Sequence, residues 1–426
     1  MMNEQLLQYI WKHRLMDSLM ETSEHDEVTV LHPGIQNRDG GPDFFNARIR
    51  INNTVWAGNV ELHVKASDWI LHRHYNDPAY DNVILHVVYE NDHAAKLRNR
   101  SIIPTLVLKN NFPRELEERY TEIMQAQQWI PCNNMIPEIA GQVFRLWAPA
   151  LAAERLELKT GYIHHLLEEY GEWEEVLYIF LCNNFGFRIN SLPFELLARS
   201  LPLKIIRRHA DDIFILESMF FGQSGLKIKG SGNRYIRLLN SEYQHQKTKY
   251  LLKPLKPGLW KYLRLHPANF PEIRISQLVN CLVKCRTDFR IFINPSGRSE
   301  LEEILCASAS AYWDTHYRFG RPGREFRKQL GSASINLLII NMVVPALFAC
   351  CSSNGISQSG MKAIEILEGL SAESNHEISG WRTLGLDPVN ALESQALIHL
   401  KRNFCDRRRC LECRIGLKIL EKESKR

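Results

Sequence analysis

A tight, acid-rich turn followed by two strand-like segments restricts the fold of this chain more than any other part of its sequence. The turn covers residues 37–43, Asn-Arg-Asp-Gly-Gly-Pro-Asp, and its glycines and proline allow a sharp change of direction. An alternating segment, 47–51, follows it, and after two asparagines a second segment runs over 55–65. The pattern predicts a hairpin with Asp43 at the entrance to its first strand.

Alternation in the second strand places Glu61, His63 and Lys65 on one face and their apolar neighbours on the other. A carboxylate at one strand start, with a carboxylate and a cation on the next strand, can hold Mg²⁺ or Mn²⁺ and polarise a water for attack on a phosphodiester. We therefore expect Asp43 and Glu61 to hold the metal. His63 or Lys65 is expected to orient the attacking water.

The flanking sequence supplies the remaining elements of a small α/β core. Periodicity predicts a helix, three strands, a helical turn and a last apolar strand at residues 3–20, 28–31, 47–51, 55–65, 67–75 and 83–89. This α-β-β-β-α-β order, with Pro42-Asp43 before its second strand and Glu61 in its third, resembles the restriction-endonuclease-like PD-(D/E)xK superfamily. The resemblance implies a metal-dependent nuclease core within residues 1–130.

Two positions decide how far that resemblance extends. The superfamily has lysine at the third motif position, where this chain has His63, and Lys65 lies two residues further along the same face. The first helix of the superfamily often adds an acid to the metal site, which makes Glu4 a candidate third acid. The simpler expectation for Glu4 is an exposed glutamate in the first turn of a helix.

Four histidines in the same segment offer another way to bind a metal. They are His63, His72, His74 and His86. Imidazole and carboxylate together can bind Zn²⁺, Mn²⁺ or Fe²⁺, but this spacing matches no closed zinc pattern. The sequence therefore leaves open a metal-dependent hydrolase of another substrate built on these rings. For any single ring, a buried hydrogen-bonded role is the alternative.

Composition and length place the chain among ordinary globular proteins of two or three domains. It has 426 residues, of which 45% are hydrophobic and 24% charged. The amino terminus lacks the pattern of a secretory signal, so we expect a cytoplasmic protein whose ten cysteines are reduced or metal-bound. Two asparagines and a proline interrupt the apolar run 335–351, which favours a buried helix over a membrane span.

Beyond residue 130 the periodicity becomes helical. The predicted helices cover 143–170, 173–185, 192–199, 204–219, 240–251, 273–283 and 301–312. The predicted fold is thus α/β + α, with a restriction-endonuclease-like αβββαβ core in residues 1–130. A mainly helical region, 131–426, follows and ends in a cysteine cluster.

Local clusters of basic residues favour a polyanionic partner more than the modest net charge of +5 does. The loop from Tyr317 interleaves Arg318, Arg321 and Arg324 with aromatic residues and glycines, a composition that can grip phosphates and stack bases. These arginines predict nucleic-acid binding, with DNA as the expected partner. The alternative is an ordinary structural loop, and the sequence leaves the oligomeric state open.

The C-terminal region carries a Cys-x4-Cys-x2-Cys motif formed by Cys405, Cys410 and Cys413. Three thiols this close can share a zinc ion or a [4Fe–4S] cluster, and adjacent arginines favour the thiolate form. Some PD-(D/E)xK nucleases carry a cluster on a similar terminal group. The fourth ligand stays open among His399 and the other cysteines, Cys132 included, and three free thiols are the alternative.

Nearly the whole chain also resembles a bacterial family of unknown function. The motifs that carry the resemblance are 41–44, 56–63, 67–69, 77–88, 184–186, 267–271 and the terminal cysteines. The family brings no activity with it, so function has to come from chemistry. We expect a metal-dependent nuclease or nuclease-like DNA-processing protein. The alternatives are a nucleic-acid-binding protein with an inactive core, and the histidine-based hydrolase.

Overall fold

The computed structural model describes residues 2–136, 140–228, 232–354 and 357–421, except for the side chains of 351–359. It is a mixed α/β protein with an N-terminal sheet and a large helical region. Its strands are β1 Met20–Glu21, β2 Glu27–His32, β3 Ile35–Gln36, β4 Phe44–Ile51, β5 Thr54–Lys65, β6 Val83–Glu90, β7 Thr105–Val107, β8 His316–Arg318 and β9 Arg321–Pro322.

The α-helices are α1 Glu4–His13, α2 Asp68–Leu71, α3 Arg114–Gln125, α4 Ala140–Tyr170, α5 Trp173–Phe185, α6 Ser191–Arg199, α7 Leu203–Ile206, α8 Ile213–Gln223, α9 Arg234–Tyr250, α10 Pro271–Lys284, α11 Arg298–Leu305, α12 Ser332–Leu338, α13 Val344–Asn354, α14 Ser357–Gly369, α15 His376–Thr383, α16 Ala391–His399 and α17 Arg414–Leu420. Two π-helical turns cover Ile339–Val343 and Leu400–Cys405. Single 3₁₀ turns cover His74–Asn76, Pro78–Tyr80, Asn133–Met135, Arg207–His209, Pro267–Asn269, Phe289–Phe292 and Ala311–Asp314.

The chain divides into two compact units. Unit 1 comprises Met1–Trp147, Ser379–Leu386 and Leu400–Arg426, and unit 2 comprises Ala148–Ile378 and Asp387–His399. The cysteine motif therefore belongs to the same unit as the N-terminal sheet. This differs from the boundary at residue 130 drawn from the sequence, which assigned the motif to the helical region.

The large sheet of unit 1 has the strand order β1-β2-β4-β5-β6-β7, and β3 also pairs with β4. The β4–β5 hairpin is antiparallel and turns at Asn52, whose φ of 50° suits an asparagine. β6 then pairs parallel to β5 after a crossover that contains α2. The predicted strands are confirmed, whereas the sequence did not predict the two-residue strands β1 and β3.

β5 is the central strand of this sheet, and its second half is buried on both faces from Gly58 to His63. α1 packs against β5, and Leu6, Ile10 and Trp11 of α1 are buried. Polar side chains on this part of the strand therefore point into the protein interior, where they need hydrogen bonds or charged partners. This burial positions Glu61 and His63.

Three helix predictions need correction. α1 ends at His13 rather than near residue 20, because Arg14 adopts a left-handed conformation and its N–H caps the helix. The predicted helix 204–219 is two helices, α7 and α8. Asp212 starts α8, because its side chain accepts hydrogen bonds from the backbone N–H groups of Phe214 and Ile215. The predicted helix 301–312 ends at Leu305.

The apolar run in unit 2 forms a continuous helix over Ser332–Cys350. Among the described residues it is the one helix long and apolar enough to cross a membrane, and 61% of its most apolar window is buried. A core helix of a globular unit meets the same criteria. Its burial agrees with the buried helix predicted from the sequence.

Candidate functional site

Asp43 and Glu61 meet at the start of the β4–β5 hairpin. Phe44 pairs with Val60, and this register puts the two carboxylates side by side. The Asp43 backbone N–H donates to Glu61 Oε2 at 3.0 Å, and the Leu62 N–H donates to Asp43 Oδ2 at 3.0 Å. Gln8 of α1 holds the other Asp43 oxygen at 2.7 Å. The structure thus brings together the two acids predicted from the sequence.

Burial and mutual charge change the acidity of both groups. Burial, together with the charge of Glu61, raises the pKa of Asp43 to about 7. Burial, followed by the charge of Glu4, raises the pKa of Glu61 to about 8, against the hydrogen bond from the Asp43 backbone. Without a cation, burial therefore favours the protonated form of both carboxyl groups. A bound cation would favour their ionised forms.

The histidines converge on the same place. His63 Nε2 lies 3.6 Å from Glu61 Oε1 and 3.2 Å from His72 Nδ1. His74 Nε2 lies 3.4 Å from the same Glu61 oxygen. One ring nitrogen of each of His63, His72 and His74 lies within 4.8 Å of the other two. Three imidazoles therefore converge, and Glu61 lies against two of them.

These separations are those of ligands around a transition metal. With metal–nitrogen bonds of about 2.0–2.1 Å, two ligands of a tetrahedral site lie about 3.3–3.4 Å apart. His63 and His72 are 3.2 Å apart, and the Glu61 oxygen is 3.6 Å from His63 and 3.4 Å from His74. The three imidazoles therefore fit a metal ion bound through nitrogen, and Glu61 lies next to two of them.

Burial keeps His63 and His86 neutral, and a neutral ring is what metal ligation requires of His63. Burial, with the charges of His86, His74 and His72, lowers the pKa of His63 to about 2. His63 Nδ1 lies 2.8 Å from His86 Nε2, and if it donates there, its Nε2 lone pair is free to bind metal. Burial, with the charge of His74, lowers the pKa of His86 to about 3.

Two buried ring nitrogens of this cluster lack a hydrogen-bond partner. They are His74 Nε2, which faces Glu61 without the alignment of a hydrogen bond, and His86 Nδ1. Trp69 lies edge-on to His74 and tilted against His86, at centroid distances of 5.4 and 5.3 Å, and Tyr80 stacks on His74 at 3.8 Å. An aromatic wall with unsatisfied imidazole nitrogens indicates a site completed by a bound group.

The other two candidates in this region lie differently from the sequence expectation. Lys65 is exposed at the end of β5, paired in register with Glu90, and no described ion pair joins its side chain to Asp43 or Glu61. Glu4 is half-buried, and its charge contributes to the raised pKa of both acids. Glu4 thus belongs to the acid cluster, whereas Lys65 does not.

The predicted nucleic-acid-binding arginines lie in unit 2, on the β8–β9 hairpin. The Arg318 guanidinium lies 3.7 Å from the centroid of the Tyr262 ring, and its Nε is 3.9 Å from Glu272 Oε1. Arg321 and Arg324 are exposed. Arg318 is therefore packed against an aromatic ring and an acid, and a nucleic-acid contact stays a prediction for all three.

Unit 1 has a basic cleft beside the acid cluster. It encloses about 300 Å³, and Lys12, Arg38 and the arginines 407–409 line it together with a single acid, Glu412. Gln8 also lines the cleft and donates a hydrogen bond to Asp43. The sequence signalled the basic character of this C-terminal stretch, but only the fold shows that it lies beside α1.

The three motif cysteines are joined in unit 1 by a fourth, Cys132. All four are at least 90% buried. Burial, followed by the charges of Cys413, Cys132 and Cys410, raises the pKa of Cys405 well above its ordinary value. Sequence spacing left the fourth ligand of the motif open among the other cysteines and His399. The structure brings Cys132 to the motif.

Comparison with protein families gives a match over most of the chain. The profile of the family described as "Protein of unknown function (DUF2851)" matches residues 4–376. Neither the curated proteins nor the solved structures that were compared contain a match to this chain. The match includes every residue of the acid and histidine cluster and ends before Cys405.

Proposed function

Because the chain belongs to the DUF2851 family, which has no assigned activity, we propose its function from the site: a metal-dependent hydrolase of phosphodiester bonds in nucleic acid. The observation that carries the proposal is the convergence of His63, His72 and His74, whose ring nitrogens lie within 4.8 Å of one another, with a Glu61 oxygen 3.6 and 3.4 Å from the first and the third.

The chemistry of these ligands favours a transition metal over Mg²⁺. Mg²⁺ prefers oxygen ligands, whereas imidazole nitrogen suits Zn²⁺ and Mn²⁺. When bound, such an ion would lower the pKa of a water molecule towards neutrality and polarise a phosphoryl oxygen. We therefore propose Zn²⁺ or Mn²⁺ for this site, in place of the Mg²⁺ expected from the carboxylates alone.

The surrounding residues have distinct roles in this proposal. His86 fixes the tautomer of His63, and the Asp43 backbone N–H orients Glu61. His72 is exposed, so this side of the site is open to water and substrate. The Asp43 side chain is held by hydrogen bonds from α1 and from β5, which limits its movement when the substrate binds.

Two features favour nucleic acid as the substrate. The order α1, β2, β4, β5, α2, β6, with Pro42-Asp43 before β4 and Glu61 in β5, agrees with the proposed resemblance to PD-(D/E)xK nucleases. The basic cleft, connected to Asp43 through Gln8, provides positive charge for phosphates next to the acid cluster. A hydrolase of a small neutral substrate needs neither feature.

The test uses the full-length protein, stripped of metal with a chelator and then supplied with Zn²⁺, Mn²⁺ or Mg²⁺. Labelled single- and double-stranded DNA and RNA are the substrates. We expect cleavage with Mn²⁺ or Zn²⁺ and little with Mg²⁺. His74→Ala should abolish cleavage and metal binding, whereas His93→Ala, an exposed histidine of the same unit, should change neither.

Three results would change the proposal. Binding of nucleic acid without cleavage under any metal would favour a binding protein with an inactive core. Metal binding with neither cleavage nor nucleic-acid binding would favour a hydrolase of another substrate. Equal activity of His74→Ala and the parent protein would remove the histidine site from the chemistry.

A further inference from the structure

Cys132 completes a group of four buried thiols with the C-terminal motif. We propose that Cys132, Cys405, Cys410 and Cys413 bind one [4Fe–4S] cluster, in which Cys132 is the fourth ligand. This centre is separate from the histidine site and does not depend on the hydrolase proposal.

Two contacts fasten the motif to the segment that carries Cys132. Arg408 donates hydrogen bonds to three carbonyls at the end of α3. They belong to Ile123, Met124 and Ala126, at 3.2, 2.7 and 2.7 Å. The Lys401 ammonium lies 5.2 Å from the centroid of the Trp129 ring. The motif therefore docks along residues 123–129, directly before Cys132.

The motif itself is tightly folded. Leu400–Cys405 is a π-helical turn, a distortion that is common at functional sites. The Cys413 N–H donates to the Cys410 carbonyl at 3.3 Å, and Gly416 packs so closely on Cys410 that an added Cβ would lie 2.3 Å from its carbonyl oxygen. This backbone holds the three motif thiols in fixed relative positions.

The spacing of the sulfurs favours a cluster over a single zinc ion. Within the part of the chain that the structure describes, no three of these sulfurs lie within 4.8 Å of one another. Four thiolates on one Zn²⁺ would be about 3.8 Å apart, because each Zn–S bond is about 2.3 Å. In a [4Fe–4S] cluster each thiolate binds a different iron atom, so the sulfurs stand farther apart.

Unit 2 contains a second group of cysteines that shows what structural thiols look like. Cys182, Cys281 and Cys285 are buried on or at the end of the regular helices α5 and α10. Cys285 Sγ donates to the Leu282 carbonyl at 3.4 Å, a bond that a serine hydroxyl can replace. Cys285 is therefore a matched control for Cys132, equal in burial but outside the proposed centre.

The test is metal and sulfide analysis of the full-length protein purified without oxygen. We expect about four iron atoms and four sulfide ions per chain, with a visible absorption band that bleaches on reduction. Cys132→Ser should lose most of the iron, whereas Cys285→Ser should keep it. Stoichiometric zinc without iron, no bound metal, or full iron retention in Cys132→Ser would each overturn the proposal.

A second measurement uses the unaltered chain, in case Cys132→Ser does not fold. Alkylation is mapped by mass spectrometry before and after an iron chelator is added. Removal of the cluster should expose Cys132, Cys405, Cys410 and Cys413 to the reagent, while Cys281 stays protected. If Cys132 stays as protected as Cys281 after iron is removed, Cys132 is not a ligand.

Discussion

Each unit of this protein contains a buried glutamate, and the two are satisfied in different ways. Glu217 in unit 2 accepts hydrogen bonds from the Ser276 and Tyr235 hydroxyls, which are neutral donors. Glu61 in unit 1 faces a second acid and two imidazoles, and one of these rings has a buried nitrogen without a hydrogen bond. Neutral donors satisfy the hydrogen bonds of a buried carboxylate, so Glu217 needs no further partner. A buried carboxylate that faces a second acid and imidazole nitrogens, as Glu61 does, favours a bound cation.

The largest expected difference between these glutamates is in catalysis. Glu61→Gln should reduce metal-dependent cleavage about 10²-fold or more, because it removes a charged metal ligand at the reacting centre. Glu217→Gln should leave cleavage unchanged. The measurement is kcat/KM on labelled DNA or RNA with saturating Mn²⁺ or Zn²⁺. A similar loss in both variants would show that Glu61 acts only through the stability of the fold.

His86 tests whether the orienting ring matters as much as the ligands. His86→Phe removes the partner of His63 Nδ1 while it keeps an aromatic ring in the buried position. We expect metal affinity to fall about 10- to 100-fold, the usual effect of losing such an orienting bond. Titration calorimetry with Zn²⁺ measures it. An unchanged affinity would mean that His63 needs no fixed tautomer.

The basic cleft should affect substrate binding more than chemistry. The double variant Arg38→Ala, Arg407→Ala should weaken binding of single-stranded DNA about tenfold at low salt and reduce the salt dependence of the affinity. Cleavage at saturating substrate should stay near that of the parent protein. Arg290→Ala, an exposed arginine of unit 2, is the control. If only the Arg290→Ala control lost affinity, the nucleic-acid-binding surface would lie in unit 2 and not in the cleft.

Asp43 gives a smaller effect, on stability, with a defined pH dependence. Its pKa is about 7 in the metal-free fold, above its ordinary value of 3.8, so its contribution to stability is present at low pH and is lost as pH rises through 7. Asp43→Asn should therefore unfold at a higher temperature than the parent protein at pH 8 in chelator, with a gain in the free energy of unfolding of a few kcal/mol at most.

The pH profile supplies its own control for this variant. Near pH 4 the Asp43 carboxyl is protonated in the fold, and the difference in melting temperature should disappear. Saturating Zn²⁺ at pH 8 should raise the melting temperature of both proteins, because the proposed metal ligands are intact in each. A melting temperature difference that does not change between pH 4 and pH 8 would contradict the raised pKa.

Lys65 should have the smallest effect. Lys65→Ala removes an exposed side chain that has no described ion pair with the acid cluster. We expect kcat/KM to change less than about twofold, since exposed charges are strongly screened by water. If kcat/KM fell as far in Lys65→Ala as in Glu61→Gln, Lys65 would have a role in the reaction, as the lysine of the PD-(D/E)xK motif has.

The sequence predicted the strands well because alternation fixes which face each side chain occupies. It placed Glu61, His63 and Lys65 on one face, but it could not show that the protein covers the first two and leaves the third in solvent. Helix ends were less certain because they depend on single residues, such as the left-handed Arg14. Asp43 and Glu61 were found because the turn and the strand are adjacent in sequence.

Contacts between distant segments were beyond the reach of spacing. Cys132 lies about 270 residues before the motif that it joins, and ten cysteines offered too many fourth ligands. Gln8 was overlooked because a glutamine in an amphipathic helix gives no signal until the helix packs beside Asp43. His72 and His74 were named, but their convergence depends on the short turns between β5 and β6.

Unit 1 is discontinuous along the chain, and this has a consequence for its synthesis. The sheet with its acids and histidines lies within the first 147 residues, but the loop that carries Arg407 and three of the cysteines begins after residue 400. At roughly 5–20 residues per second, a ribosome takes on the order of tens of seconds to make the intervening stretch. The proposed histidine and Glu61 ligands thus leave the ribosome well before the basic wall of the cleft. On the proposed function, a nascent or prematurely terminated chain would hold metal but lack the arginines proposed to attract nucleic acid.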